Sequence, residues 1–253
     1  MFCDAHIHVG QYYDIYTSPK DLSVFLKKIG VDAIAVSSTT TCEENYDKVE
    51  DEIKTLSSVF GKVTIPILWV TPALLNNEAK LIELLNHVNW KCVKVHPQLC
   101  PDEWDAIGCN FKKAVELSNE LKTPLMIHTG VVRNCHPIQL QPLFRKYPDQ
   151  TFIMAHGRPI DETVLVMREC PNTFVDTAFM PIQHIEKLIV HGFSDRILWG
   201  SDYPIIKFYD PNVNSCLYYN SLIDELKHHI SQSDYIKITQ TNFLDIFNVS
   251  GDL

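Results

Sequence analysis

The chain has 253 residues, of which 45% are hydrophobic and 21% are charged, so it can bury a sizeable core and is not expected to be disordered. Its formal net charge of −9 argues against nucleic acid or an anionic membrane as a partner, because both would favour a basic face. The sequence contains no run of 18 apolar residues and no signal-peptide pattern, so we expect no transmembrane helix and a cytoplasmic protein.

The predicted elements alternate between short apolar strands and longer amphipathic helices. The first candidate strand, Phe2–His8, is followed by a stretch at 22–29 in which apolar residues recur at helical spacing. Strands that alternate with helices predict a parallel sheet. The eight candidate strands are Phe2–His8, Ala33–Ser37, Val63–Val70, Cys92–His96, Leu125–His128, Phe152–His156, Phe174–Thr177 and Ile197–Gly200.

The spacing of these strands favours a closed barrel. Their ends recur about every 28 residues, which suits one strand, one helix and two short loops per unit. An open doubly wound sheet usually has five or six strands and a Gly-rich phosphate loop, which this sequence lacks. We therefore predict one α/β domain over residues 1–253, a regular or distorted (β/α)₈ TIM barrel. An extra C-terminal helix is expected within 231–247.

Polar residues cluster at the C-terminal ends of the predicted strands, where a barrel of this kind carries its catalytic residues. His6 and His8 are two residues apart on one strand, so both point to the same face. A lone buried histidine is more often a satisfied core residue than a ligand, but several at strand ends predict a metal site. The residues concerned are His6, His8, Lys94, His96, His128, His156 and Asp202.

The composition also narrows the chemistry of that site. Eight cysteines form no CxxC pair, which indicates reduced thiols rather than a disulfide framework or a zinc ribbon. A metal would therefore be held by imidazole and carboxylate, a ligand set that suits Zn²⁺, Mn²⁺ or Fe²⁺.

Two arginines follow strand ends and could bind the substrate. Arg133 and Arg158 lie just after the fifth and sixth predicted strands, where each could bind a carboxylate or phosphate bidentately. The alternative for each is an arginine in a solvated loop. Asp176, at the end of the seventh strand, either orients an imidazole or forms hydrogen bonds at the strand edge.

The chain resembles the amidohydrolase superfamily, in particular the amidohydrolase-related branch that contains hydrolases and aminocarboxymuconate-type decarboxylases. The similarity runs in the right order along the whole chain. The matching segments are Asp4–His8, Val93–Pro97, Ile127–Gly130, Met154–Gly157, Leu198–Pro204 and the closing Thr241–Phe247.

The resemblance implies a role for each site residue. His6, His8, His128 and Asp202 would be metal ligands, and Asp202 and His156 would be catalytic. His156 and Lys94 could instead bind a second metal or the substrate, since Lys94 lies where some relatives carry a carboxylated lysine that bridges two metals. One metal is favoured over two, with Zn²⁺ ahead of Mn²⁺ and Fe²⁺. His96, Arg133 and Arg158 would contact the substrate.

The expected function is hydrolysis of a small carbonyl or ester-like substrate, such as an amide, lactone or cyclic imide. The alternative is non-hydrolytic decarboxylation of an aromatic or muconate-like acid. A barrel that has lost catalysis and acts as a scaffold would show a broken ligand set, whereas every expected position is filled here. The expected partner is a small molecule, and the oligomeric state is left open between a monomer and a homo-oligomer.

Overall fold

The computed structural model describes residues 1–106, 108–130 and 132–249. All eight predicted strands are present in it, and the sequence pattern missed one further short strand, β2. The last four residues of the predicted domain, 250–253, lie outside the described part of the chain. The strands are β1 (Cys3–Tyr12), β2 (Ile15–Thr17), β3 (Ala33–Ser38), β4 (Val63–Trp69), β5 (Cys92–Val95), β6 (Leu125–His128), β7 (Phe152–Ala155), β8 (Thr173–Asp176) and β9 (Ile197–Leu198).

The strands form one curled sheet in the order β2-β1-β3-β4-β5-β6-β7-β8-β9. Strand β2 pairs antiparallel with β1, and every other pair is parallel. Strands β3, β6 and β7 are buried along their whole length, as expected when helices cover one face and side chains fill the other. The architecture is a distorted (β/α)₈ barrel, which confirms the predicted fold class.

Backbone hydrogen bonds bring the two ends of the curled sheet together. Ala5 N donates to Trp199 O (2.8 Å) and His8 N donates to Tyr203 O (2.8 Å). Asp202 N donates to His6 O (2.7 Å). The first strand therefore lies directly beside the segment that follows the last one.

Strand β1 changes its register with β3 between Asp4 and Ile7, an irregularity that re-aims side chains as a β-bulge does. Cys3, before the step, and Ala5, within it, belong to an inner apolar cluster made mostly of strand residues. After it, Ile7 belongs to the larger cluster between strands and helices. The shift therefore turns His6 and His8 towards the barrel interior.

Helix α1 (Pro19–Ile29) shows how the sequence sets the connecting helices. The side chain of Ser18 accepts a hydrogen bond from Asp21 N at the start of the helix, and Gly30 ends it at a φ of 75°. The other helices are α2 (Tyr46–Phe60), α3 (Pro72–Leu75), α4 (Glu78–His87), α5 (Cys109–Leu121), α6 (Pro137–Lys146), α7 (Ile160–Glu169), α8 (Ile182–Val190), α9 (Ile206–Tyr209), α10 (Ser215–His229), α11 (Gln232–Ile236) and α12 (Asn242–Ile246).

The predicted C-terminal helix is present as α11 and α12, joined by a π-helical turn at Lys237–Thr241. Phe243 of α12 is buried in the inner cluster of strand residues, so this segment covers one end of the barrel. Across the described residues, every helix is too short or too polar to cross a membrane.

Candidate metal centre and active site

Three side chains from distant parts of the chain meet at the C-terminal ends of the strands. Potential ligand atoms of His6, His156 and Asp202 all lie within 4.8 Å of one another, and all three residues are buried. His6 lies on β1, His156 follows β7, and Asp202 follows β9. This is the region in which the sequence predicted a metal site.

The backbone at this cluster is shaped for close approach. His156 and Asp202 have φ angles of 71° and 53°, a left-handed conformation that is uncommon for side chains other than glycine and is often found at functional sites. Gly200 passes so close to β1 that a Cβ there would lie 2.9 Å from His6 Cβ and 3.3 Å from Asp176 Cβ. A larger residue at position 200 would displace both side chains.

His8 and Lys94 extend the cluster. His8 Nε2 lies 2.9 Å from Asp202 Oδ1. Lys94 Nζ donates to His6 Nε2 (2.6 Å) and lies 3.3 Å from His8 Nε2. Burial lowers the pKa of Lys94 to about 8. The lysine therefore lies among the predicted ligands rather than at the rim of the site.

The carboxylate of Asp176 fixes the orientation of two of these groups. It accepts a hydrogen bond from His6 Nδ1 (2.9 Å) through Oδ2. Through Oδ1 it accepts from the backbone N–H groups of His156 (3.1 Å) and Ala178 (3.0 Å). Such a partner holds the imidazole so that its other nitrogen faces the metal position. The sequence left two roles open for Asp176, which were to orient an imidazole or to form hydrogen bonds at the strand edge, and Asp176 does both.

His156 is oriented in the same way by a backbone carbonyl. Its Nδ1 donates to Ala178 O (3.1 Å), so Nε2 carries the lone pair and lies 3.9 Å from Asp202 Oδ2. The same Nε2 lies 3.2 Å from His128 Nδ1. His128 in turn contacts Gln98 Oε1 through Nε2 (2.9 Å), a partner that the sequence analysis missed.

His96 lies beside the cluster in a stack of rings. Its imidazole is parallel to that of His128, with ring centroids 3.8 Å apart, and to the indole of Trp69 at 5.4 Å. The structure thus places His128 and His96 next to the three clustered residues. The predicted ligand set of His6, His8, His128 and Asp202 stays a prediction, since the tightest cluster includes His156 instead of His8 and His128.

Burial governs the charge state of the imidazoles. Desolvation lowers the pKa of each of them, and for His156 the pKa falls to about 3. Neutral imidazoles are the form that binds metals, because a protonated ring offers no lone pair. The other four with a lowered pKa are His6, His8, His96 and His128.

A cavity of about 210 Å³ opens above the cluster. Arg158 is partly buried in its wall, where Gly130 makes room for it, since a Cβ at Gly130 would lie 2.2 Å from Arg158 Cγ. Arg133, by contrast, is exposed and is not among the described residues that line this cavity. The structure therefore brings one of the two predicted substrate-binding arginines to the site.

The mouth of the cavity is aromatic, a feature that the sequence analysis largely missed. The ring of Phe208 lies 5.7 Å from Tyr12 and 5.5 Å from Tyr13, at the tip of the β1–β2 hairpin, and 5.6 Å from Tyr209. The sequence signal for this mouth was the pair Tyr12 and Tyr13, which follows the first histidine motif. The first strand ends at Tyr12, four residues beyond its predicted end at His8.

Solved structures with the same fold cover almost the whole chain. An uncharacterised TIM-barrel protein from Bordetella bronchiseptica has a TM-score of 0.73 at 14% identity, covering 98% of each chain. A probable 2-pyrone-4,6-dicarboxylic acid hydrolase from Acinetobacter baumannii has a TM-score of 0.72 at 12% identity, covering 98% of this chain and 99% of that one. A 4-oxalomesaconate hydratase from Rhodopseudomonas palustris has a TM-score of 0.65 at 14% identity, covering 98% of this chain and 96% of that one.

Structural similarity at such low identity shows only the fold, so the family has to be identified by sequence comparison. A comparison with curated protein sequences finds no significant match. The profile of the amidohydrolase family, however, matches residues 3–219, a stretch that contains every clustered residue described above. The chain belongs to the amidohydrolase family.

Proposed function

We propose that this protein is a metal-dependent hydrolase of a small carbonyl or ester-like substrate, such as an amide, a lactone or a cyclic imide. The observation that carries the proposal is the buried cluster of His6, His156 and Asp202, whose ligand atoms lie within 4.8 Å of one another beneath a cavity of about 210 Å³. A cavity of this size suits a small molecule as the partner.

The donor set fits a divalent cation. His6 donates from Nδ1 to Asp176, so its unprotonated Nε2 faces the carboxylate of Asp202 at 3.3 Å. Lys94 Nζ now donates to this nitrogen at 2.6 Å, so the lone pair and the carboxylate already attract positive charge, and a divalent cation bound there would take the place of the lysine. Zn²⁺ is favoured over Mn²⁺ and Fe²⁺, and one ion over two, with His8 and His128 as further ligands.

A divalent cation bound there would act as a Lewis acid and bring the pKa of a coordinated water towards about 7. Asp202 would orient the water, accept its proton and pass that proton to the leaving group. Nε2 of His156, which carries a lone pair in this structure, would first accept a proton and would then hydrogen-bond the oxygen on which negative charge develops. Arg158, in the cavity wall, would bind an anionic group of the substrate, and His96 would contact its planar part.

The first test is metal content together with turnover. Replacing His6 and His8 by alanine should remove bound metal and abolish hydrolysis of a panel of lactones, amides and cyclic imides. The matched control replaces two exposed histidines of α10, His228 and His229, and should keep both. Full metal content in the His6→Ala/His8→Ala variant would overturn the assignment.

Decarboxylation of an aromatic or muconate-like acid is the second candidate. It is favoured by Arg158, which offers the cavity a guanidinium for a carboxylate. Turnover in ¹⁸O-labelled water distinguishes the two reactions, because hydrolysis places the label in the product, whereas decarboxylation releases CO₂ without it. The names of the solved relatives, a hydrolase and a hydratase, support addition of water.

A further inference from the structure

A second cavity, of about 390 Å³, adjoins the one above the metal cluster. Both cavities are lined by Tyr12, Tyr13 and Leu99, so the tip of the β1–β2 hairpin forms a wall that they share. On the far side the second cavity is lined by Cys42 and by residues 71–73 at the start of α3. A substrate that extends beyond the catalytic cavity past these tyrosines would enter this space.

The two cavities differ in charge. The catalytic cavity carries two basic side chains, Lys94 and Arg158, and one carboxylate, that of Asp202. The second carries three exposed glutamates, Glu43, Glu44 and Glu103. In the described part of the chain, none of these glutamates lies within ion-pair distance of a basic side chain. A ligand that spans both cavities would therefore meet basic groups at one end and acidic groups at the other.

We propose that the second cavity is a substrate subsite that takes an apolar arm ending in an amine. The apolar stem would pack against Tyr12, Leu99 and Ala73, and the ammonium would lie near the three glutamates. The inference rests on the proposed function, since the reacting carbonyl must lie at the metal cluster for the arm to reach this space. Anionic arms would be repelled by the same carboxylates.

The test uses hydroxamates as probes, because they bind metals and their tails can be varied. Affinity for the metal-loaded protein is measured by calorimetry for acetohydroxamate and for longer alkyl hydroxamates. Once the tail reaches the second cavity, the Kd should fall roughly threefold per added methylene. At equal length, an amine-ended tail should bind about tenfold more tightly than a carboxylate-ended one, with a smaller ratio at high salt.

Two variants separate the apolar and the charged contributions. Ala73→Phe fills the second cavity and should abolish the dependence on chain length while leaving acetohydroxamate binding unchanged. Ala79→Phe, at an exposed alanine of α4 that does not line the cavity, is the matched control. Glu43→Gln/Glu44→Gln should remove most of the preference for the amine and keep the dependence on length.

Thiol labelling gives a second readout that needs no turnover. A long-tailed hydroxamate should protect Cys42, which lines the second cavity, from methyl methanethiosulfonate. Cys109, which is exposed on α5, should react as before. Affinity independent of tail length, or a preference for the carboxylate-ended tail, would overturn the subsite.

Failure of the proposed function would give a different result from failure of the subsite. In that case acetohydroxamate itself would not bind the metal-loaded protein. The subsite would then be judged with hexylamine alone, which must protect Cys42 at millimolar concentration if the inference is right and would leave it reactive if the inference is wrong.

Discussion

Asp176 contacts three groups of the site through one carboxylate, since it accepts from His6 Nδ1 and from the backbone N–H groups of His156 and Ala178. Asp176→Asn keeps the shape of the side chain but places an amide where His6 Nδ1 now donates. We expect the affinity for the metal to fall about 10- to 100-fold, because the imidazole loses the partner that fixes its orientation.

That loss is measured by competition with a chelator of known affinity. Asp149→Asn, at an exposed position remote from the site, is the control and should bind metal as the unmodified protein does. If Asp176→Asn also kept its affinity, the hydrogen bond to His6 would have no part in metal binding.

The sequence located the site residues but not their partners. Strand-end histidines were visible because each ends an apolar segment. Which imidazole reaches Asp202 depends on the turn after each strand. At His156 the left-handed backbone brings the ring towards His6 and Asp202. No letter in the sequence encodes that turn, so the choice between a catalytic His156 and a His156 that binds a second metal stayed open.

Helix α2 is tied to the end of β3 by the buried side chain of Glu52. Its carboxylate accepts hydrogen bonds from Ser38 Oγ (2.6 Å) and Thr40 Oγ1 (3.1 Å). Gly10 leaves room for it, since a Cβ there would lie 2.5 Å from Glu52 Oε2. Burial raises the pKa of Glu52 in the folded protein, so the folded state holds this proton more tightly than the unfolded state.

A raised pKa in the folded state adds stability below the unfolded pKa of about 4.3, and this stability is lost as the pH rises through the folded value. Glu52→Gln cannot ionise. Its free energy of unfolding should therefore rise relative to that of the unmodified protein as the pH increases from about 4.3 through the raised pKa of Glu52 in the folded protein. Urea unfolding at each pH measures the difference, and a constant difference would contradict the prediction.

Glu50 on the same helix is the control, because its pKa shift and its effect on the pH dependence of stability have the opposite sign. Its hydrogen bond from Lys54 lowers its pKa, so its stabilising contribution is present above about pH 4.3 and is lost as the pH falls through the folded value. Glu50→Gln should therefore lose stability relative to the unmodified protein as the pH rises through this acid range.

At the level of the elements, the sequence predicted the barrel strands well and the mouth of the barrel poorly. Strand β1 continues to Tyr12 because β2 pairs with its last three residues, from Gly10 to Tyr12. Hydrophobic periodicity reports which face of a strand is buried, but it does not report a hairpin that projects from the barrel. For the same reason the aromatic rim and the second cavity were invisible before the structure was known.

For the molecule as a whole, metal binding should be visible as stability. A ligand that binds only the folded state at 1,000 times its Kd raises the free energy of unfolding by about 4 kcal/mol. We expect a chelator to lower the unfolding midpoint of the metal-loaded protein, and added Zn²⁺ to restore it. The His6→Ala/His8→Ala variant should respond to neither treatment. An unchanged midpoint in the unmodified protein would argue against a tightly held metal.

The fold class and its order of elements were predictable because eight repeated units give a strong periodic signal. The sequence left open whether the barrel is regular or distorted, because periodicity does not report local irregularities such as the register change in β1 between Asp4 and Ile7. The predicted role of Arg133 in substrate binding also shows that a sequence pattern does not report local geometry. Its place after a strand suggested the mouth, but the short helical turn Arg133–Cys135 leaves its side chain in solvent.

The hydrogen bonds between β1 and the segment after β9 also determine the stage of protein synthesis at which the site can form. Asp4 and Ser201, which meet through the Ser201 N–H, are 197 positions apart in the chain, and Asp202 comes one residue later. During synthesis, Asp202 emerges almost 200 residues after His6, so the two cannot meet until all the strands between them have been made. A nascent chain that ends before Asp202 would lack this pair of side chains. A metal ion held by both side chains would therefore mark molecules in which the ring of strands has closed.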